Sequence, residues 1–450
     1  MRRILQYTLA AAVLCGTTTL TACEQRIVPK ASYSSERTEK TEEASPETVV
    51  TSTVTDRATT STAQTSSAAD TETTAAAPVK KDPPDSLLLI GMPQVEVYEE
   101  LSIADFITDT NAEILNPDVK LFTSDVGTSS ARVEFRIDGE EYDDILLYEV
   151  VDTTPPVILN SGWEPYAKKG EPLDLNKIVG YADNFDREPV LTYDGEVNTG
   201  ENGSYPISCT VTDSSGNSSS FDLTVVVLDT IPEPVDNNER VDFEDFAAAH
   251  KYDNIRYGID VSQWQSYVDF EAVKNAGVDF VLMRMGYCYS EVKKDEYYDR
   301  NIEEAAKAGL DIGVYFYTAD NTEEKIRDRA RWIVEQLDGR ELDFPIAFDW
   351  EEFGHFQKYG MSIHDLNELF EVFCDEVGKA GYSAMLYSSK NFLNNFWTNR
   401  NSRTVWLAHY VDETDYTGDY AIWQASAYGR IDGIDGDVDL NIQFLDQPLD

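Results

Sequence analysis

The sequence predicts a multidomain chain that ends in an α/β barrel of eight strands, preceded by β-sandwich modules. Three observations carry this reading. At 450 residues the chain has room for two to four folded units. Beyond Asn254, strand-length apolar runs alternate with helix-length ones, the pattern of parallel strands joined by right-handed crossovers. Before that point, two stretches alternate apolar and polar residues around glycine turns, the mark of hairpins with one buried face.

The first element is an address. Met1-Arg2-Arg3 opens a stretch that is apolar from Ile4 to Leu14 and small up to Ala22, the layout of a secretory signal peptide. Leu20-Thr21-Ala22-Cys23 resembles the bacterial lipobox, so residues 1–22 are expected to be removed and Cys23 to be acylated. Several acyl chains on one residue meet the requirement for stable attachment, which places the protein on the extracellular face of a bacterial cell membrane. From Ala31 to Lys80, 21 of 50 residues are Ser or Thr and Tyr33 is the only aromatic. Such a segment cannot bury enough apolar surface to offset ordering, so residues 23–84 read as a stalk.

Two β modules follow, at residues 85–152 and 153–230. Val150-Val151-Asp152-Thr153 and Val227-Leu228-Asp229-Thr230 repeat at the module ends. In the second module Tyr205, Ile207, Cys209 and Val211 alternate up to the turn Ser214-Ser215-Gly216-Asn217, and Phe221, Leu223, Val225 and Val227 alternate after it. Val133, Phe135 and Ile137, the Gly139 turn and Ile145–Val151 repeat the arrangement in the first. The second module resembles bacterial immunoglobulin-like domains, and the first matches them less well. Neither shows a run of metal ligands or an exposed aromatic row, so both read as spacers. Residues 231–252 read as a linker.

Residues 253–450 carry the barrel pattern. Strand-like runs lie at Ile255–Val261, Phe280–Tyr287, Asp311–Thr318, Phe344–Glu351 and Ser383–Ser389, with helical stretches between them. Three more runs, Thr404–Tyr410, Tyr420–Ser426 and Val438–Phe444, leave no room for helices. The prediction is five β/α units plus three closing antiparallel strands.

Composition sets exclusions. With 36 basic and 83 acidic residues the net charge is −47, which rules out neutralising a nucleic acid backbone. The five cysteines contain no C-x-x-C pair and the histidines number only four, so a Cys/His zinc site is not expected. No cofactor, metal or protein partner is implied.

Chemistry concentrates at strand ends. In Phe348-Asp349-Trp350-Glu351-Glu352 an apolar strand runs into acids at its C-terminal end, the face on which barrel active sites are built. Asp349 and Glu351 are two apart and share a side, while Glu352 points the other way. Paired carboxylates in one cleft divide acid and base roles, as glycoside cleavage needs. Asp260 ends the first strand and Asp439 lies in the last, so barrel closure brings both toward the pair. Tyr315, Tyr317, Tyr387, Trp406, Tyr410 and Trp423 recur at matching positions, suggesting a sugar cleft, with Gln424 beside the last.

These segments have a family likeness. Gly258-Ile259-Asp260-Val261-Ser262, Gly313-Val314-Tyr315, Asp349-Trp350-Glu351, Trp406-Leu407-Ala408-His409-Tyr410, Trp423-Gln424 and Val438-Asp439-Leu440-Asn441 occur in the order seen in family 25 glycoside hydrolases, lysozymes of the Chalaropsis type. The resemblance implies a modified TIM-like barrel that cleaves the β-1,4 bond between N-acetylmuramic acid and N-acetylglucosamine in peptidoglycan. It further implies Glu351 as general acid/base, Asp349 as its partner, and Asp260 and Asp439 as the rest of the acidic cluster. The chain departs from many members in having Phe316 between Tyr315 and Tyr317. Two other readings stand beside this one: a catalytically silent lipoprotein that only binds cell-wall glycan, and a chitinase-like enzyme using the same Asp-x-Glu logic.

Overall fold

The computed structural model describes residues 92–106, 112–159, 165–233, 238–398 and 403–449. All of them fall within the unit Ala76–Asp450. The signal peptide, Cys23 and the stalk lie outside the described residues.

Both β modules are built alike. In the first, Gly127–Ile137 and Glu140–Val151 form a hairpin, Gln94–Glu96 adds parallel to its second strand, and Glu113–Ile114 adds antiparallel to its first. In the second, Gly203–Thr212 and Ser218–Leu228 form the hairpin, flanked by Tyr166–Lys168 and Val190–Asp194. The inward positions of the alternation are buried, among them Val133 and Phe135 in one and Ile207, Cys209 and Val225 in the other.

The barrel strands are β1 (Ile255–Val261), β2 (Phe280–Cys288), β3 (Asp311–Thr318), β4 (Ile346–Asp349), β5 (Ala384–Ser389), β6 (Thr404–Ala408), β7 (Ile422–Arg430) and β8 (Val438–Phe444). Its helices are α1 (Phe270–Asn275), α2 (Tyr298–Ala308), α3 (Glu323–Leu337), α4 (Ile363–Gly378) and α5 (Lys390–Asn395). Strands β1 to β7 pair in parallel in chain order, and β8 closes the sheet antiparallel to both β7 and β1. The expectation of three antiparallel closing strands is corrected: only β8 runs so. The connection between Ala408 and Ile422 contains no helix, yet it has the dozen or so residues that a parallel return requires.

Side chains alternate across the barrel wall. Phe280, Leu282, Ala347, Met385 and Trp406 fill the inside, while Ile259, Val281, Phe348, Leu407 and Trp423 join the layer beneath the helices. Two glycines make room for this filling. A Cβ on Gly258 would sit 2.2 Å from the Phe280 ring, and one on Gly313 would sit 2.3 Å from Leu282.

The expected linker is also corrected. Val241–Asp242 pairs with Gly429 and Arg430 of β7, and the helix Phe243–Ala249 buries Phe243 and Phe246 in the barrel's outer core. Tyr257 donates its hydroxyl proton to the carbonyls of Ala247 and His250, fastening the helix end. The segment is too short, and too acidic around its two phenylalanines, for a periodic signal to stand out.

The second module is seated on α4. Arg187 makes two 2.7 Å hydrogen bonds to Asp365, and Gln357 donates to the carbonyl of Val179 at 2.9 Å. The first module reaches the same place, stacking Tyr98 on His364 with centroids 3.5 Å apart.

Candidate active site

Closure of the barrel puts Asp260 directly opposite Asp439 across the β1–β8 ladder. Opposed residues of an antiparallel pair share a face, with Cβ atoms ~4.5–5.5 Å apart. Asp260 is buried and accepts from Gln424 at 2.7 Å and from Asn441 at 2.8 Å, both on one carboxylate oxygen. Each donor is itself fixed: Tyr387 and Tyr410 donate to the Gln424 carbonyl at 2.9 Å, and Trp406 donates to the Asn441 carbonyl at 2.7 Å. Strands β1, β5, β6, β7 and β8 thus meet in one hydrogen-bonded layer inside the barrel.

Strand β4 ends at Asp349, which is buried and lies in register between Tyr317 of β3 and Tyr387 of β5. The strand is four residues shorter than the expected Phe344–Glu351, two at each end. Trp350 leaves it outward, fully buried, with its indole N–H on the carbonyl of Asp320. Glu351 is exposed at the mouth, and its carbonyl accepts the N–H of Phe353 at 2.8 Å as the chain turns into a 3-10 segment.

The electrostatics show which acids share a space. Burial pushes the Tyr387 phenol well above its ordinary pKa, and Tyr410, Glu351, Asp349 and Asp260 add to the rise. Burial does the same to Tyr315, with Asp260, Asp349 and Asp439 adding to it and Arg284 opposing. Tyr410 is raised by burial of its hydroxyl and then by Asp439, Glu351 and Asp260, although 48% of the residue is exposed. All four acids therefore act on one cluster of neutral phenols. Those phenols can only donate or accept hydrogen bonds; they cannot neutralise the carboxylates.

Other expected site residues fall elsewhere. Trp423 is adjacent to Gln424 and so faces the opposite side of β7. It lies buried in the outer core with its indole N–H on the His409 carbonyl, so it backs the wall rather than lining the cleft. Trp406 is buried at the cleft floor, its ring 4.5 Å from that of Tyr387. Tyr317 donates to Glu352 at 2.7 Å, and Tyr359 donates to the same carboxylate at 2.7 Å. Glu352 is thus not turned to solvent on the far side, because the strand has already ended and alternation no longer applies.

Several contributors were missed. Arg284 is brought beside Tyr315 by the β2–β3 register, just before a bulge, and its guanidinium is held by Asp295 at 2.9 Å. Trp264 and Tyr289 follow the C-terminal ends of β1 and β2 and are 67% and 65% exposed. An aromatic just beyond a strand's C-terminal end was a signal available in the sequence.

The fold and this acid-lined mouth define a glycoside hydrolase. Residues 259–434 match the model of the glycosyl hydrolases family 25, a segment holding Asp260, Asp349 and Glu351 but ending before Asp439. Over these residues the barrel is similar to the members of that family. The chain is 28% identical over 193 residues to the uncharacterized protein YegX of Escherichia coli strain K12, covering 41% of this chain and 68% of that one. It is 30% identical over 188 residues to the autolytic lysozyme of Clostridium acetobutylicum, covering 41% of this chain and 54% of that protein. The match therefore spans about half the length of the Clostridium lysozyme. A crystal structure of the bacterial lysozyme from Streptomyces coelicolor aligns at 24% identity over 41% of this chain and 90% of that one, with a TM-score of 0.35.

Proposed function

We propose that this protein is a membrane-tethered extracellular lysozyme. It hydrolyses the β-1,4 bond between N-acetylmuramic acid and N-acetylglucosamine in peptidoglycan. The observation that carries the reading is the convergence of Asp260, Asp349, Glu351 and Asp439 at the C-terminal mouth of the barrel, where each acts on at least two of Tyr315, Tyr387 and Tyr410. A site that only bound glycan would have no use for four mutually repelling carboxylates.

Glu351, exposed at the mouth, is the general acid that protonates the leaving glycosidic oxygen. Asp349, buried beneath it, orients the 2-acetamido group of the substrate and stabilises the positive charge as its carbonyl oxygen attacks the anomeric carbon. Asp260, fixed by Gln424 and Asn441, and Asp439 opposite it hold the negative potential of the cleft. Tyr410, with its ring half exposed and its hydroxyl held inward, offers a face for a sugar to stack on. Acylation at Cys23 would keep the enzyme beside the wall, and the β modules act as spacers.

The test is the reducing end released from purified peptidoglycan. Muramic acid ends support the reading. Glucosamine ends, or release of sugar from chitin alone, replace it with a different glycosidase, and no ends at all with a silent binder.

A further inference from the structure

Three further aspartates, none of them among the acids of the barrel mouth, come from three separate turns and meet in the protein interior. Asp152 follows the last strand of the first module, Asp183 follows the strand Tyr181–Ala182, and Asp213 opens the turn of the second module's hairpin. All three are buried, Asp183 completely, and each contributes an oxygen within 4.8 Å of the others. Two ligands on opposite sides of one calcium ion are separated by about that much, twice the ~2.3–2.6 Å Ca–O distance.

The cluster has oxygens to spare. Oδ2 of Asp152 and Oδ1 of Asp183 are buried without a hydrogen-bond partner, although buried polar atoms are almost always paired. Asn184, whose amide nitrogen donates to Asp152 at 3.3 Å, also leaves its buried Oδ1 without a partner. Among the described residues no ion pair reaches any of the three aspartates. Burial pushes the Asp183 carboxyl up to about 6, against two backbone N–H bonds, and its neighbours Asp152 and Asp213 add to the rise. Three acids so placed repel one another unless a cation lies among them.

We infer that Asp152, Asp183, Asp213 and the side-chain carbonyl of Asn184 form a calcium site at the junction of the two β modules. The donor set is oxygen only, which selects a hard cation over zinc or copper. Calcium fits better than magnesium, which keeps several of its waters and needs room for them. The ion stiffens more than one joint. The carbonyls of Asp183 and Asn184 accept the N–H groups of Ile363 and His364, the first residues of α4, at 2.7 and 3.3 Å. Fixing that turn therefore fixes the seat of the modules on the barrel, together with the Arg187–Asp365 pair and the Tyr98–His364 stack.

The experiment is calorimetric titration of the full chain, stripped with chelator, with calcium chloride, alongside its thermal unfolding. The wild type should take up one ion with a dissociation constant between about 10⁻⁶ and 10⁻³ M and unfold several degrees higher in calcium. Asp183→Asn and Asp213→Asn should each bind roughly tenfold more weakly or worse, because each removes one charged ligand. Asp349→Asn should bind as the wild type does, which separates this site from the acidic cleft. A folded wild type that takes up no calcium at about 10 mM overturns the inference. Undiminished affinity in both aspartate variants overturns it too. Asp213→Asn, which leaves the Asp183 and Asn184 bonds to α4 in place, keeps the comparison informative if Asp183→Asn does not fold.

Discussion

Tyr317 donates its phenolic proton to the carboxylate of Glu352 at 2.7 Å, so the residue after Glu351 is tied into the wall of the cleft. Tyr359 and Lys358 bind the same carboxylate from the other side, at 2.7 and 3.2 Å. Glu352 is therefore a support for Tyr317, whose own phenol also feels Glu351.

Glu352→Gln should accordingly be neither neutral nor fatal. Burial alone would raise the Glu352 carboxyl, but the bonds from Tyr317, Tyr359 and Lys358 outweigh it and hold the group below its ordinary 4.5. A depressed folded value means the carboxylate stabilises the fold above the unfolded value and loses this effect as pH falls through the folded one. The variant should be less stable by about 1–3 kcal/mol at neutral pH, with the difference closing in acid. Thermal unfolding across that pH range checks it. A gap that widens on acidification would contradict the assignment.

Asn441→Leu tests the floor of the cleft. The change keeps the branched outline of the side chain but removes the 2.8 Å donor to Asp260 and the 2.7 Å acceptor for Trp406. A buried polar group left without its partner costs about 1–3 kcal/mol. Turnover should fall roughly tenfold to a hundredfold, because Asp260 loses the hydrogen bond from Asn441 that helps Gln424 orient it. Steady-state kinetics beside an unfolding curve distinguish this from simple loss of the folded fraction.

Much of this was legible in the chain and some was not, for physical reasons. Strand-helix alternation exposed the barrel because each β/α unit has its own period. The direction of β6 and β7 was hidden, since a helix-free loop such as residues 409–421 can return the chain either way. Adjacent Trp423 and Gln424 were both assigned to the cleft, yet neighbours on a strand must face opposite sides. Asp152, Asp183 and Asp213 were invisible as a group. Among 83 acids, three that lie about thirty residues apart carry no spacing signal, and only the packing of three turns makes them neighbours.

Phe246→Ala addresses the segment first read as linker. Phe246 is buried in the outer core, against His250 at 4.4 Å and edge-on to Tyr257 at 6.2 Å between ring centroids. Its truncation should cost about 3–5 kcal/mol, as for other buried phenylalanines. Denaturant unfolding of the full chain measures it. A change below roughly 1 kcal/mol, ordinary for a surface site, would mean that the helix is a passive tether.

The most demanding comparison concerns Glu351 and Asp349, assigned different roles in one step. Glu351→Gln keeps shape and hydrogen bonding but has no proton to give, so turnover of peptidoglycan should fall about 10²–10⁴-fold. That loss should shrink on an aryl glycoside whose leaving group departs without protonation, because the missing proton is no longer needed. Asp349→Asn should be impaired on both substrates. A neutral amide in this buried position cannot balance the positive charge that develops on the acetamido-derived ring, whatever the leaving group. The two variants should therefore separate on the activated substrate while looking alike on the wall. If both recover equally, or neither does, the division of labour between the exposed and the buried carboxylate is wrong. Glu341, which lies in the loop before β4, serves as the control: Glu341→Gln removes the same charge and should leave both rates unchanged.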